Sequence, residues 1–284
     1  MAAMSALDNR LHAFRADLAD HRLKGVVDAV RYAEGDLRRV TAPIAPVHRE
    51  PQPDSMQISQ ALMGERCRVF ESREGWAWIQ LESDGYVGYV GDNALAADID
   101  EPTHRVSVPL TFIYPAPNVK SQPVISIPMN AEVTAVGEDG KFTRLKDGGF
   151  IFAAHLKSVK QTESDFVAVA EKFRNVPYLW GGKSAMGLDC SGLVQLSLKA
   201  AGIACPRDTD MQEKALGTPV MTNDLDRLRR GDLVFWKGHV GIMTDDEGLL
   251  HANGHHMLVA LEPLKDAIAR IKASDGDITA INRL

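Results

Sequence analysis

Two Asp-Gly turns, Asp84-Gly85 and Asp147-Gly148, constrain this chain most, because each sits between two aromatic-led runs. Trp76-Ala77-Trp78-Ile79-Gln80-Leu81 precedes the first turn and Tyr86-Val87-Gly88-Tyr89-Val90 follows it. Phe142 to Leu145 precedes the second, and Phe150-Ile151-Phe152 follows. Short aromatic and β-branched runs cut by turn dipeptides are strand signals. Cys67 to Phe70 and Val133 to Val136 add further strands, with turns at Glu74-Gly75 and Asp139-Gly140. Pro43, Pro46, Pro51 and Pro53 forbid a long helix where the first set begins. Residues 40–98 and 104–160 therefore read as two copies of one small β unit. Two copies do not make a solenoid, so a tandem pair of SH3-like barrels is expected.

The flanking segments carry a different texture. Residues 1–39 read as a charged helical leader, since Leu7, Leu11, Phe14 and Leu18 form an amphipathic stripe that Val26 to Val30 can extend. His12 and His21 read as solvated residues on it. Residues 163–284 read as α+β. Phe166, Val169, Ala170 and Phe173 form one helical stripe. Gly231 to Trp236 is a buried strand, and His239 to Met243 and Leu249 to Ala252 are two more, joined at Asp245-Asp246-Glu247-Gly248.

At 284 residues the chain has room for two or three domains, and 45% hydrophobic with 25% charged residues is an ordinary globular composition. A net charge of −6 without a basic run gives no footprint for nucleic acid. No stretch approaches the roughly 20 apolar residues of a membrane span. Asp8, Arg10, Arg15, Asp17, Asp20, Arg22 and Lys24 interrupt every apolar run near the start, so no secretory signal is visible and a cytoplasmic location is expected. Cys67, Cys190 and Cys205 are too few for a disulfide framework. Cys67 alternates within a strand and reads as core; Cys205, beside Pro206, reads as structural.

Cys190 is different. After the Pro- and Gly-bearing loop Val176 to Gly182, Asp189 is a candidate N-cap for a helix on which Cys190, Leu193, Val194, Ser197, Leu198 and Ala201 share a face, with Gly202 ending it. The positive end of such a helix favours a thiolate. From this stretch alone Cys190 reads equally as a nucleophile or a small core thiol. A cysteine nucleophile needs an imidazole to hold its proton and a group to orient that imidazole. His239 and His251 stand across the predicted hairpin, where His251 can bond one ring nitrogen of His239 and leave the other for Cys190. His255-His256 lacks a zinc spacing. Gly181-Gly182-Lys183-Ser184 lacks the upstream glycine of a phosphate loop, Pro177 standing there instead.

Tyr178-Leu179-Trp180-Gly181-Gly182, Asp189 to Val194, Arg230 to Trp236, His239 to Ile242 and Leu250-His251-Ala252 resemble the NlpC-type papain-like cell-wall peptidases. Two upstream SH3-like modules make the chain similar to one branch, the γ-D-glutamyl-L-diamino acid endopeptidases, or dipeptidyl-peptidases VI. The resemblance implies a papain-like domain with Cys190 as nucleophile, His239 as general base and then acid, and His251 as its orienter. Tyr178 would lie over the thiol and join the Cys190 N–H in stabilising an oxyanion. Asp189 and Ser191 would contact substrate.

The implied substrate is a murein tri- or tetrapeptide with a free N-terminal L-Ala, cut between γ-D-Glu and the diamino acid. Its ammonium requires an anionic pocket. Arg207-Asp208-Thr209 matches the branch's Asp-Ser pair with Thr in place of Ser, so Asp208 would bind the amine and Thr209 the adjoining backbone. Tyr86 would close the pocket from the first module. Asp54 is the nearest match to an acidic residue there, an Asp where the branch has Glu. No cofactor or metal is expected, nor a nucleic-acid or membrane partner, and the expected state is a monomer that recycles murein peptides. A non-catalytic murein-binding protein, or an acyltransferase or amidase on the same fold, are the alternatives; the intact Cys190, His239 and His251 speak against the first.

Overall fold

A computed structural model describes residues 7–97, 100–220 and 225–284. The first β unit is one antiparallel sheet of seven strands in the order Gln57–Leu62, Ile44–His48, Val87–Gly91, Trp76–Leu81, Arg66–Arg73, Asp36–Val40 and Leu95–Ala97. The hairpin between Arg66–Arg73 and Trp76–Leu81 turns through Glu74 and Gly75, both at positive φ (53° and 81°), which matches the right-handed twist of the strands. Its interior holds Val40, Val47, Cys67, Ile79, Leu81 and Val90. The second unit is smaller and closes from three short sheets around Val106, Ile127, Val133, Leu145, Ile151 and Leu156.

The helical leader is corrected. Residues 7–39 contain no α-helix; residues 1–6 and 98 of the expected boundaries lie outside the described residues. Leu18–Asp20 pairs in parallel with Arg31–Ala33, His21–Leu23 makes a single 3-10 turn, and Asp36–Val40 is an internal strand of the first barrel. The stripe misled because its apolar groups serve a different surface. Ala13 and Leu18 are buried against Phe70, Trp78 and Val87 on the barrel's outer face. The backbone follows them: Val87 N donates to Arg10 O at 2.8 Å and Gln80 Nε2 to Leu11 O at 2.7 Å. A short isolated helix nucleates poorly, so these bonds prevail. His12 is half-buried, its Nδ1 2.9 Å from Asp8 O, while His21 is exposed.

The third unit has helices α1 (Phe166–Glu171), α2 (Cys190–Ala200), α3 (Thr209–Ala215) and α4 (Leu264–Lys272). Its sheet runs Thr218–Val220, Ala280–Arg283, Leu233–Trp236, His239–Met243, Gly248–Asn253, Leu258–Pro263, all antiparallel. Alternation sends Leu233 and Phe235 to the α2 side and Val234 and Trp236 to the α4 side. No helix among the described residues is long and apolar enough to cross a membrane.

Both barrels grip α2. The buried Glu65 carboxylate of the first accepts from Lys183 Nζ at 3.1 Å, from Lys199 Nζ on α2 at 2.7 Å, and from Leu62 N at 2.8 Å. Removing Glu65 would leave two ammoniums without their shared counter-charge in low dielectric, so the carboxylate ties Lys183 and α2 to the first β unit. From the second barrel, Arg105 donates to the last carbonyls of α2, Lys199 O at 3.1 Å and Ala200 O at 2.7 Å, and Asn130 Nδ2 to Leu196 O at 3.0 Å. A guanidinium there satisfies orphan carbonyls and complements the negative helix end.

Candidate active site

The nucleophile loop is built by packing and capping. Asp189 caps α2 as expected, accepting from Gly192 N at 2.7 Å. A Cβ on Gly192 would stand 2.1 Å from Gly182 O, so only glycine lets the helix start sit against the preceding loop. The buried Arg207 clamps the cap, donating to Asp189 Oδ1 at 3.0 Å, Asp189 Oδ2 at 2.6 Å and Ser191 Oγ at 2.7 Å, and its Nε reaches Ser59 of the first barrel at 3.1 Å. Asp189 Oδ2 also accepts from Gly181 N at 2.8 Å. Asp189 and Ser191 both line the cavity, with their polar atoms engaged in this network. Cys190 Sγ lies 3.8 Å from Thr209 Oγ1 and 4.0 Å from Gly238 O. As the first residue of α2, Cys190 has a backbone N–H with no intrahelical acceptor.

The imidazoles form a relay across the sheet. Ile242 pairs with Leu250, which puts His239 and His251 on one face, diagonal to each other. His239 Nε2 and His251 Nδ1 are 2.8 Å apart, and His251 Nε2 is 2.7 Å from Glu262 Oε1 on the next strand. Glu262 is held in turn by Arg270 of α4. A carboxylate only accepts, so His251 carries its proton on Nε2 and accepts on Nδ1. His239 must then donate through Nε2, leaving Nδ1 as the bare base. Glu262 and Arg270 were not legible as site residues in the sequence.

A cavity of about 710 Å³ opens over the thiol between the third unit and the first barrel. Tyr178, Cys190, Thr209 and Gly238 form one wall, and Tyr86, Asp208 and Arg10 one end. Tyr86 OH donates to Asp208, 2.9 Å from Oδ2 and 3.2 Å from Oδ1. Tyr86 and Asp208 thus meet, while Tyr89 also lines the cavity but gives its hydroxyl to Arg15, which donates to it at 2.9 Å. Asp54 is corrected: it is exposed and does not line the cavity, whereas Glu50 does. The loop folds back, with Glu50 N donating to Ser55 Oγ at 2.9 Å; both carboxylates are exposed, Glu50 at the edge of the cavity and Asp54 away from its lining. Among the described residues no group of three or more His, Cys, Asp or Glu side chains is arranged to hold a metal.

These features can be set beside known proteins. The NlpC/P60 family matches residues 175–270, and the bacterial dipeptidyl-peptidase SH3 domain matches residues 47–95. A gamma-D-glutamyl-L-lysine dipeptidyl-peptidase of Bacillus subtilis is 30% identical over 231 residues, covering 70% of this chain and 73% of that protein. The chain belongs to the NlpC/P60 family. Dipeptidyl-peptidase 6 of Lysinibacillus sphaericus is 25% identical over 75% of this chain and 86% of its own length. An NlpC/P60 family protein of Bacillus cereus superposes with a TM-score of 0.73 at 20% identity, over 87% of this chain and 99% of that one, which shows the shared fold. The α+β unit is accordingly the papain-like NlpC/P60 domain, preceded by SH3-type β structure, and the chain is a peptidase.

The electrostatics of this NlpC/P60 site differ from the simplest reading of its helix. Burial pushes the Cys190 thiol up to about 11, and the Asp189 carboxylate adds to it, outweighing the helix end and the Thr209, Val240 and Ser191 donors. Burial pulls His239 down to about 3, reinforced by His251, and His251 likewise to about 3. Both shifts run toward the neutral thiol and the neutral imidazole, so burial opposes the thiolate that the helix end favours. Burial also raises Tyr178, which keeps its phenol a donor. Inactivation by iodoacetamide should therefore accelerate about tenfold per pH unit from pH 6 to 9. A rate that is flat over that range would indicate a preformed ion pair instead.

Proposed function

We propose that this peptidase cleaves the γ-D-Glu–diamino acid bond of murein peptides whose N-terminal L-Ala is free. The observation that carries the reading is the convergence of Tyr86 and Asp208 at one end of the Cys190 cavity. Burial raises Asp208 above the ordinary carboxylate range, and Tyr86, Arg207 and Arg10 oppose that rise, so a further cation is welcome beside it. Glu50 lines the same cavity and adds negative charge.

In this mechanism the dipeptide's ammonium rests at Asp208 and its γ-carbonyl reaches Cys190. As sulfur attacks, its proton passes to His239 Nδ1, and the new imidazolium is held by His251 with Glu262 behind it. The Cys190 N–H and Tyr178 face the developing oxyanion. His239 then protonates the departing diamino acid amine, and water, deprotonated by His239, hydrolyses the thioester. Cleavage of peptides with free amines suits imported murein fragments, which supports cytoplasmic recycling; Cys67 and Cys205, both buried and neither in a disulfide, fit a reducing compartment. Acetylating the amine of L-Ala-γ-D-Glu-L-Lys or its diaminopimelate counterpart is expected to lower kcat/KM about 100-fold or more, since it removes the cation that Asp208 would meet and puts a neutral acetyl group into the end of the cavity shaped by Tyr86, Asp208 and Arg10. Equal cleavage of the acetylated and free peptides would overturn the reading.

A further inference from the structure

The N-terminal segment lines the active-site cavity with Asn9, Arg10, Phe14 and Arg15, and of these Arg10 bonds Asp208 although the catalytic chemistry does not use it. Arg10 lies on the stretch that crosses the first barrel, its carbonyl bonded to Val87 N at 2.8 Å. Its guanidinium spans three carboxylates. Nε donates to Asp8 Oδ1 at 3.1 Å, and Nη2 donates to Asp8 Oδ2 at 2.7 Å and Asp210 Oδ2 at 2.9 Å. Nη1 donates to Asp210 Oδ1 and to Asp208 Oδ2, each at 2.9 Å.

A guanidinium has five N–H donors, and all five are taken. Arg10 therefore has none left for a carboxylate of the substrate. Four of the five bonds go to Asp8 and Asp210, so Arg10 stays anchored whatever happens at Asp208, unlike a plug that departs when an ammonium arrives. On Asp208, Arg10 and Tyr86 both occupy Oδ2, at 2.9 Å each. Oδ1 has only the longer 3.2 Å approach of the same hydroxyl, and a hydroxyl has a single proton to give. Among the described residues, one oxygen of Asp208 is held by two donors and the other has room for a further one, on a residue that lines the cavity.

We propose that Arg10 is a positioning residue for substrate selection: it fixes Asp208 so that Oδ1 meets the peptide's ammonium. It also walls off the cavity beyond that point, so that the chain accommodates two residues before the cleaved bond and no more. This rests on the dipeptidyl-peptidase reading above. It gives the N-terminal segment a role in the site, joining Asp208 of the NlpC/P60 domain to a third part of the chain besides Tyr86.

The test compares wild type, Arg10→Gln and Arg10→Lys on L-Ala-γ-D-Glu-L-Lys and on its des-amino analogue, in which propionyl replaces L-Ala. With Arg10→Gln, KM for the free-amine peptide should rise about tenfold or more, with kcat within about twofold. The slow cleavage of the des-amino analogue should stay unchanged, and Arg10→Lys should recover part of the KM. Arg10→Lys keeps the charge without the fork, so it carries the test if the Gln variant does not fold, with a smaller rise in KM on the free-amine peptide alone. An unchanged KM, an equal loss on both substrates, or a fall in KM would each overturn the proposal, the last meaning that Arg10 occupies the ammonium's place. Wild type that cleaves neither peptide, or favours the des-amino one, would bring down the dipeptidyl-peptidase reading itself and this proposal with it. Wild type that prefers the free amine, beside a variant indifferent to Arg10, would bring down this proposal alone.

Discussion

Cys190→Ala should lower kcat by about 10⁵-fold or more while leaving the fold intact. Cys190 is the first residue of α2, its sulfur opens on the cavity, and it stands beside the strand carrying His239. The neighbouring hydroxyls are poor substitutes. Ser191 Oγ accepts from Arg207 and lies 3.3 Å from Asp189 Oδ1, inside the capping network. Thr209 Oγ1 faces the sulfur but has no imidazole partner in the structure. Losing one buried sulfur removes little packing, so the thermal midpoint should move by only a few degrees. The check is dipeptide release by the variant alongside its melting curve. Residual turnover above about 1% of wild type in a folded variant would mean that another group attacks.

Asp208→Asn should raise KM for the free-amine tripeptide by about 30- to 1,000-fold, with a much smaller change in kcat. The substitution preserves shape and leaves an oxygen for Tyr86 and Arg10, but it removes the charge that an ammonium would meet. The same change should leave the des-amino analogue almost untouched, because that substrate brings no cation. Steady-state kinetics on the two peptides separate the outcomes. A parallel loss on both would indicate that Asp208 serves the fold, through its bonds to Tyr86 and Arg10. Arg10 and Asp208 share a bond, so their substitutions should be less than additive in KM.

Much of this architecture was legible because local signals agreed with tertiary ones. The runs at Trp76–Leu81 and Phe142–Leu145 were strands in sequence and in structure, since aromatic and branched residues pack a pleated face and Asp-Gly or Glu-Gly supplies the positive φ of the turn. The hairpin that brings His239 and His251 together was legible, but their shared face rests on the observed register, Ile242 opposite Leu250 and Thr244 bonded to Gly248, which leaves three residues in the turn and not the four expected at Asp245 to Gly248. Four things were not. The stripe from Leu7 to Leu18 fits a helix by spacing, and only the barrel surface formed by Phe70, Trp78 and Val87 decides against one. Glu262 looks like any solvated position on a strand; what makes it part of the relay is diagonal placement beside His251 and the cation at Arg270, both long-range facts. Glu50 and Asp54 lie in one proline-rich loop, where the course of the loop, rather than residue type, determines which carboxylate stands at the edge of the cavity. Arg10 belongs to the same class, because nothing near it in sequence points to Asp208.

The central claim is that Cys190 and the Asp208 pocket together make one cut, at a fixed distance from a free amine. Incubation of the purified chain with L-Ala-γ-D-Glu-L-Lys and with its diaminopimelate counterpart, read by mass spectrometry, tests it most directly. The account predicts the dipeptide L-Ala-γ-D-Glu and the free diamino acid as the only products, from one or both peptides. Release of free L-Ala, or no cleavage of either peptide by enzyme whose Cys190 remains alkylatable, would contradict it.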